Sequence, residues 1–272
     1  MERLHDTVPP TAADLLSLAL SVVRPAADLA REMRSHGVSG VFTKSTDTDV
    51  VTAADQAVER QIRAALAAAR PDDRVFGEEY GTGTDQPPGS DVRWILDPID
   101  GTVNYLYGLP QYAVSLAAAV DGEVVAGVVR NAATGEEWTA TKGGGAYREG
   151  HRLTGSTETR LGQALVGTGF AYDPAVRAHQ AAVVAGLITH IRDIRRFGSA
   201  AIDLCQAAEG RLDAFYEQGL NEWDHAAGGL IAREAGLLVT GLDGAPPGPD
   251  LVLAAPPALH EPLHAHLLKL NG

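Results

Sequence analysis

Two aspartates stand three residues apart at the end of an apolar run, Val92-Arg-Trp-Ile-Leu-Asp97-Pro98-Ile99-Asp100-Gly101-Thr102. Burying carboxylates at a strand end is expensive unless cations neutralise them, because each ion loses its hydration there. Hard divalent cations take oxygen ligands, and Mg²⁺ in particular prefers a few carboxylates together with water and substrate phosphate. Gly101-Thr102 can then present backbone N–H groups to an anion, especially by opening a helix. The competing reading of this segment is an Asp-Pro turn with solvated carboxylates.

Three further segments carry candidate acids. Phe76-Gly77-Glu78-Glu79 again follows a short apolar strand, although a Glu pair read alone is most often a solvated loop. Trp223-Asp224-His225-Ala226-Ala227-Gly228 sets Asp224 between a large aromatic and a small-residue helix, where the ordinary role of the carboxylate is an N-cap. Lys44-Ser-Thr-Asp-Thr-Asp49-Val-Val-Thr52-Ala-Ala-Asp55 reads by itself as a turn followed by a capped helix.

The elements that must position these residues follow from spacing. Leu15, Leu16, Ala19, Leu20, Val23 and Ala27 recur at helical intervals over residues 11–35, with Pro25 expected to kink or interrupt the helix and Gly37 to stop it. A second helix is predicted from Thr52 to about Ala69, ahead of Pro71. Strands are predicted at Arg74–Phe76, Val92–Leu96, Ala113–Val120, Val124–Arg130 and Glu137–Thr141, with a hairpin at Asp121-Gly122. Gly143–Gly145 and Glu149-Gly150 punctuate the end of this stretch. Beyond residue 155 strands and helices alternate: strand Leu165–Gly169, helix 175–190, a strand near Ile194, helix 199–209, strand Leu212–Glu217, helix 224–235, strands Leu238–Thr240 and Leu251–Ala254, and a closing helix 257–270. Helices, a meander and then alternation predict an α+β or layered protein.

Composition narrows the classes. The chain has 272 residues, 45% hydrophobic and 21% charged, with 22 Lys+Arg against 35 Asp+Glu and a net charge of −13. That balance argues against a sequence-independent nucleic-acid binder, which needs a basic face. A single cysteine, Cys205, excludes an internal disulfide framework and any Cys-based zinc site. The start MERLHDTVPP has no apolar core of a signal peptide, and no run approaches the apolar length of a membrane span. The expectation is a soluble cytoplasmic protein.

Taken together, the four acidic segments resemble the inositol monophosphatase family over nearly the whole chain. One family signature reads here as Trp94-Ile-Leu-Asp97-Pro-Ile-Asp100-Gly-Thr102, the other as Trp223-Asp224-His-Ala-Ala-Gly228-Gly-Leu-Ile-Ala-Arg-Glu-Ala-Gly236. Gly77-Glu78-Glu79 precedes the first at the matching place.

The resemblance implies a single domain over 1–272 with the layered αβαβα sandwich of the sugar phosphatases, helices and meander over 1–155 and the alternating half over 156–272. It implies a Mg²⁺-dependent phosphomonoesterase with two to three ions per site. Glu78, Asp97 and the Ile99 carbonyl would hold one Mg²⁺, and Asp97, Asp100 and Asp224 a second. A weaker third would lie near Glu78, mostly through water. Thr102, paired with Asp55, would orient and activate the attacking metal-bound water, with Glu78 among the catalytic groups. Lys44 would stand at the edge of the cluster, beyond direct ligation, and the Gly101 and Thr102 amides would hold phosphate. Clustered carboxylates cannot all ionise without cations, and paired metals stabilise both attacking and leaving oxygens.

The run Arg196-Phe-Gly198-Ser-Ala200-Ala-Ile-Asp203-Leu-Cys205, followed by Asp213-Ala-Phe-Tyr216-Glu217, resembles the family's polyol-binding wall. There Glu217, the Ala200 backbone and Asp100 would meet ring hydroxyls, which suits inositol 1-phosphate; the bland alternative ends a strand with Glu217 in solvent. The resemblance also implies a homodimer and inhibition by Li⁺. Relatives that hydrolyse histidinol phosphate, fructose 1,6-bisphosphate or 3′-phosphoadenosine 5′-phosphate share the metal core, and one bacterial relative joins the transcription antitermination machinery. Leu237 and Gly241 depart from the family pattern where a glycine and an aspartate are usual. Both are expected to bear on local packing. His260, His264 and His266 are read as residues of a solvated terminal helix, and Cys205 as a small core residue.

Overall fold

After a short antiparallel pair, β1 (Phe42–Thr43) with β2 (Val50–Val51), the chain builds a seven-stranded sheet from β3 (Arg74–Gly77), β4 (Val92–Asp100), β5 (Ala113–Val120), β6 (Glu123–Asn131), β7 (Glu137–Thr141), β8 (Gly145–Arg148) and β9 (His151–Arg152), in that spatial order. The computed structural model describes residues 10–44, 50–82 and 90–271. The β3–β4 pair is parallel and every later pair in this sheet antiparallel. The second half makes a five-stranded sheet of β10 (Leu165–Thr168), β11 (Asp193–Arg195), β12 (Ala214–Glu217), β13 (Leu238–Thr240) and β14 (Val252–Ala255), ordered β11-β10-β12-β14-β13.

Side-chain alternation assigns the layers. On β4, Val92, Trp94 and Leu96 face a core shared with α1 (Ala12–Ser35) and α2 (Ala53–Ala69), while Ile95 faces the opposite core. On β5, Val114, Leu116 and Ala118 take the first side and Ala113, Ala117 and Ala119 the second. The short α3 (Thr102–Tyr107) follows β4 directly, and α4 (Pro174–Leu187) packs with α7 (Pro257–Asn271) outside the smaller sheet. Between the sheets lie α5 (Ala200–Glu209) and α6 (Glu222–Glu234); Ala200–Ala208 and Ala226–Ala232 are buried throughout, as helices between two layers must be. The result is a layered αβαβα sandwich.

Most predicted elements are present with ends moved by a few residues, and several differences are informative. Helix α1 runs through Pro25 without a break. Proline removes one hydrogen bond there, but Val22, Val23, Ala26 and Ala27 are buried against the sheet on both sides of it, and tertiary packing outweighs the local loss. The turn Gly143–Gly145 and the pair Glu149-Gly150 do not end the sheet; they are hairpin turns leading into β8 and β9, with Glu149 and Gly150 both at positive φ. The Asp121-Gly122 hairpin has the same geometry, as predicted. Helix α7 is not simply solvated: Leu259, Leu263 and Leu267 are core residues and the His260 ring pairs with Thr240 at 2.8 Å. The turn read at Ser45–Asp49 lies outside the described residues.

Candidate active site

A strict strand would point Asp97 and Asp100, three residues apart, to opposite faces. In β4 they pair with Ser115 and Ala113, two residues apart on β5, so one extra residue is accommodated and both aspartates face the α5–α6 layer. Pro98 falls in this bulge, where no ladder N–H is required. The Asp97 Oδ1 accepts the Ile99 N–H at 3.1 Å and closes the bulge locally.

Gly101 then turns the chain into α3 at φ +96°, and a Cβ there would stand 2.7 Å from the Gln111 carbonyl oxygen and 3.1 Å from that of Gly198. Gly101→Ala is therefore expected to destabilise the fold by about 1–3 kcal/mol from backbone strain alone, read as a lowered urea midpoint, with phosphatase activity falling alongside.

Asp55 reaches the same place from α2. Its Oδ2 accepts from the Thr52 N–H (2.8 Å) and hydroxyl (2.5 Å), so the predicted Thr52 cap is extended into a capping box. Its Oδ1 accepts from the Thr102 hydroxyl at 3.1 Å across 47 residues of sequence, and the Ile99 carbonyl offers Thr102 a second acceptor at 3.1 Å. Burial pushes the Asp55 carboxyl up to about 6, against the lowering bonds from Thr52.

The other acids converge on this point. Asp100 Oδ2 accepts the Ser199 hydroxyl at 2.6 Å and the Ala201 N–H at 2.7 Å, at the N-terminus of α5. Even so, burial raises it to about 6. Asp224 is the third residue of α6, not its cap: Asn221 caps, and its N–H donates to Asp224 Oδ2 at 2.6 Å. Ligand atoms of Asp97, Asp100 and Asp224 all lie within 4.8 Å of one another. Burial, and then the neighbouring carboxylates, hold Asp97 and Asp224 well above the usual carboxylate range. Glu78 makes hydrogen-bonding contact with Asp97 and is itself raised by burial. The Lys44 ammonium donates to Glu78 at 2.8 Å and Glu79 at 2.5 Å. Burial works against that charge, but the two carboxylates outweigh it and raise the Lys44 pKa. A set of crowded acids with oxygen donors only, buried and reluctant to ionise, fits a hard divalent cation rather than a soft one.

These groups line a cavity of about 410 Å³ whose wall includes Lys44, Glu78, Thr102, Arg196 and Glu217 as well as the three aspartates. Ile99, Gly101 and Ala200 also face it, while Asp55 is buried behind Thr102. The Glu217 carboxyl occupies the space that a side chain at Gly169 would need. Burial pushes Glu217 up to about 8, opposed by the Arg196 charge. Sequence reasoning missed the loop Phe170-Ala-Tyr-Asp173 and Asn221 as parts of the wall. Asp173 caps α4, and nothing local says that α4 starts at a cavity. Leu237 and Gly241 lie away from the wall; a side chain at Gly241 would collide with the Pro246 carbonyl, so the glycine answers to its own loop.

Fold and site together define a layered sandwich whose cavity gathers three carboxylates close enough to share a metal ion. The sequence model of the inositol monophosphatase family matches residues 10–271, and the chain belongs to that family. It is 46% identical over 249 residues to the inositol-1-monophosphatase of Mycobacterium leprae, covering 89% of this chain and 86% of that protein. It is 40% identical over 234 residues to a protein of Pseudomonas aeruginosa named Nus factor SuhB, covering 85% and 86%. The solved structure of Mycobacterium tuberculosis SuhB superposes with a TM-score of 0.81 at 41% identity over 96% of this chain and 98% of that one.

Proposed function

We propose that this chain is a Mg²⁺-dependent phosphomonoesterase that hydrolyses inositol 1-phosphate to myo-inositol and phosphate. The observation that carries the reading is the convergence of Asp97, Asp100 and Asp224 from two distant segments onto one small volume. Glu78, Asp97 and the Ile99 carbonyl would hold one ion, and Asp97, Asp100 and Asp224 the other, with Asp97 shared. When bound, Mg²⁺ neutralises phosphoryl oxygens and lowers the pKa of water.

The chain's own groups supply orientation. Both partners of the Thr102 hydroxyl are acceptors, so its single proton is committed to one of them. Toward the cavity the oxygen therefore accepts, and it can align a water by accepting a hydrogen bond from it. Lys44 keeps Glu78 and Glu79 from repelling one another. The leading N–H groups of Gly101 and α3 would hold the phosphate. On the polyol wall, Glu217 near neutrality offers a donor as well as an acceptor to vicinal hydroxyls, beside Asp100 and the Ala200 backbone. Because the acids come from both halves of the chain, we read residues 1–272 as one working unit; homodimerisation belongs to the same reading and is checked by light scattering.

Phosphate release against inositol 1-phosphate, fructose 1,6-bisphosphate, histidinol phosphate, glycerol 2-phosphate and 3′-phosphoadenosine 5′-phosphate tests it. The expected outcome is Mg²⁺-dependent turnover greatest on inositol 1-phosphate. Preference for another ester would keep the metal core and overturn the polyol wall. The likeness to proteins named Nus factor SuhB supports a second reading, as a partner in transcription antitermination. Rescue of a deletion phenotype by a catalytically dead variant would favour it.

A further inference from the structure

We propose that Glu59, on α2, is a positioning residue that sets how tightly the Glu78 corner holds Mg²⁺; the inference rests on Glu78 being a ligand. The side chain of Glu59 is fully buried. Its Oε2 accepts the Glu79 N–H at 2.9 Å, and its Oε1 accepts the Tyr80 N–H at 3.3 Å and the Arg63 Nε–H at 2.8 Å. Arg63 in turn donates to the carbonyls of Val75 (3.1 Å) and Gly81 (2.5 Å), on both flanks of the Glu78 turn. That turn is closed on itself by the reciprocal Gly77–Gly81 backbone bonds of 3.1 and 3.0 Å and tied to β4 by the Glu78 N–H donating to the Leu96 carbonyl at 3.2 Å. Gly77 is glycine for the same reason: a Cβ there would overlap the Glu59 carboxylate.

Glu59 thus does not reach the cavity, yet it grips the two peptide groups that follow Glu78. The turn presents Glu78 to Asp97 and Glu79 to Lys44. A buried side-chain carboxyl shared by two amides and a guanidinium fixes the turn before any ligand arrives, and residues that orient a metal ligand typically alter affinity about tenfold to a hundredfold. Without it, Glu78 would have to be ordered at the expense of metal binding.

Glu59→Gln keeps the size and one acceptor but replaces the other oxygen by an NH₂ facing a donor. The Mg²⁺ concentration at half-maximal thermal shift, and that at half-maximal phosphate release, are both expected to rise about tenfold. Turnover at saturating Mg²⁺ should stay within about threefold of the wild type. A merely structural Glu59 would lower the melting temperature of the metal-free protein and leave the Mg²⁺ midpoint alone, and that result overturns the proposal. If the variant fails to fold, Arg63→Gln decides: the same midpoint should rise, by a smaller factor, and an unchanged midpoint overturns the proposal too. Absence of any Mg²⁺ shift in the wild type would instead remove the metal reading itself.

Discussion

Asp97→Asn is expected to cut phosphate release by about a thousandfold while leaving the protein folded. The metal contribution to charge stabilisation is several kcal/mol, and each 1.36 kcal/mol is about tenfold in rate. Asp97 is the shared ligand of the proposed pair, so one substitution weakens both positions. The fold should tolerate it for a definite reason. The amide oxygen of Asn can still accept the Ile99 N–H that closes the β4 bulge. The variant also loses a carboxyl that burial and three neighbouring acids already disfavour as an ion, so the metal-free protein should melt at or above the wild-type temperature at pH 8. A folded variant with wild-type turnover would sink the assignment of the metal core.

The second large effect is the pH dependence of metal-free stability. Asp55 and Asp100 are raised to about 6, Glu217 to about 8, and Glu78, Asp97 and Asp224 upward as well. A raised carboxyl binds more protons folded than unfolded, so its stabilising contribution is complete below the unfolded value and is lost as pH rises through the folded one. His225 runs the other way: burial pushes it down to about 4, so its contribution is complete above about 6.5 and is lost as pH falls toward 4. In EDTA the melting temperature should peak at mildly acidic pH and fall from pH 6 to 8.5, by several kcal/mol in unfolding free energy. Added Mg²⁺ should restore it strongly at pH 8 and little at pH 5, because protonated acids do not ligate. A flat melting temperature from pH 6 to 8.5 without metal, or an equal Mg²⁺ effect at both pH values, would contradict this picture.

The residue string alone settles whatever depends on near neighbours. Thr52 and Asp55 announce the start of α2 because their capping box spans three residues. Ala113–Val120 is legible to the residue as an apolar run ended by the Asp121-Gly122 turn, and Glu137–Thr141 from its alternation. The donor set is legible too, since Asp97, Asp100 and Asp224 are marked by residue type and by their signatures.

Position in space was decided elsewhere. That Asp97 and Asp100 share a face depends on how β4 pairs with β5, which period-two spacing would deny. That Thr102 meets Asp55 depends on α2 packing beside β4. Continuation of α1 past Pro25, the extension of the sheet into β8 and β9, and the loop Phe170-Ala-Tyr-Asp173 in the cavity wall are likewise tertiary outcomes. Glu59 is the sharpest case: on the helix it is one acidic residue four before an arginine, and only the approach of the β3 turn makes it the anchor of Glu78. Capping and alternation are local energies that a short window contains, whereas convergence of buried charges depends on contacts between distant segments, which no window records.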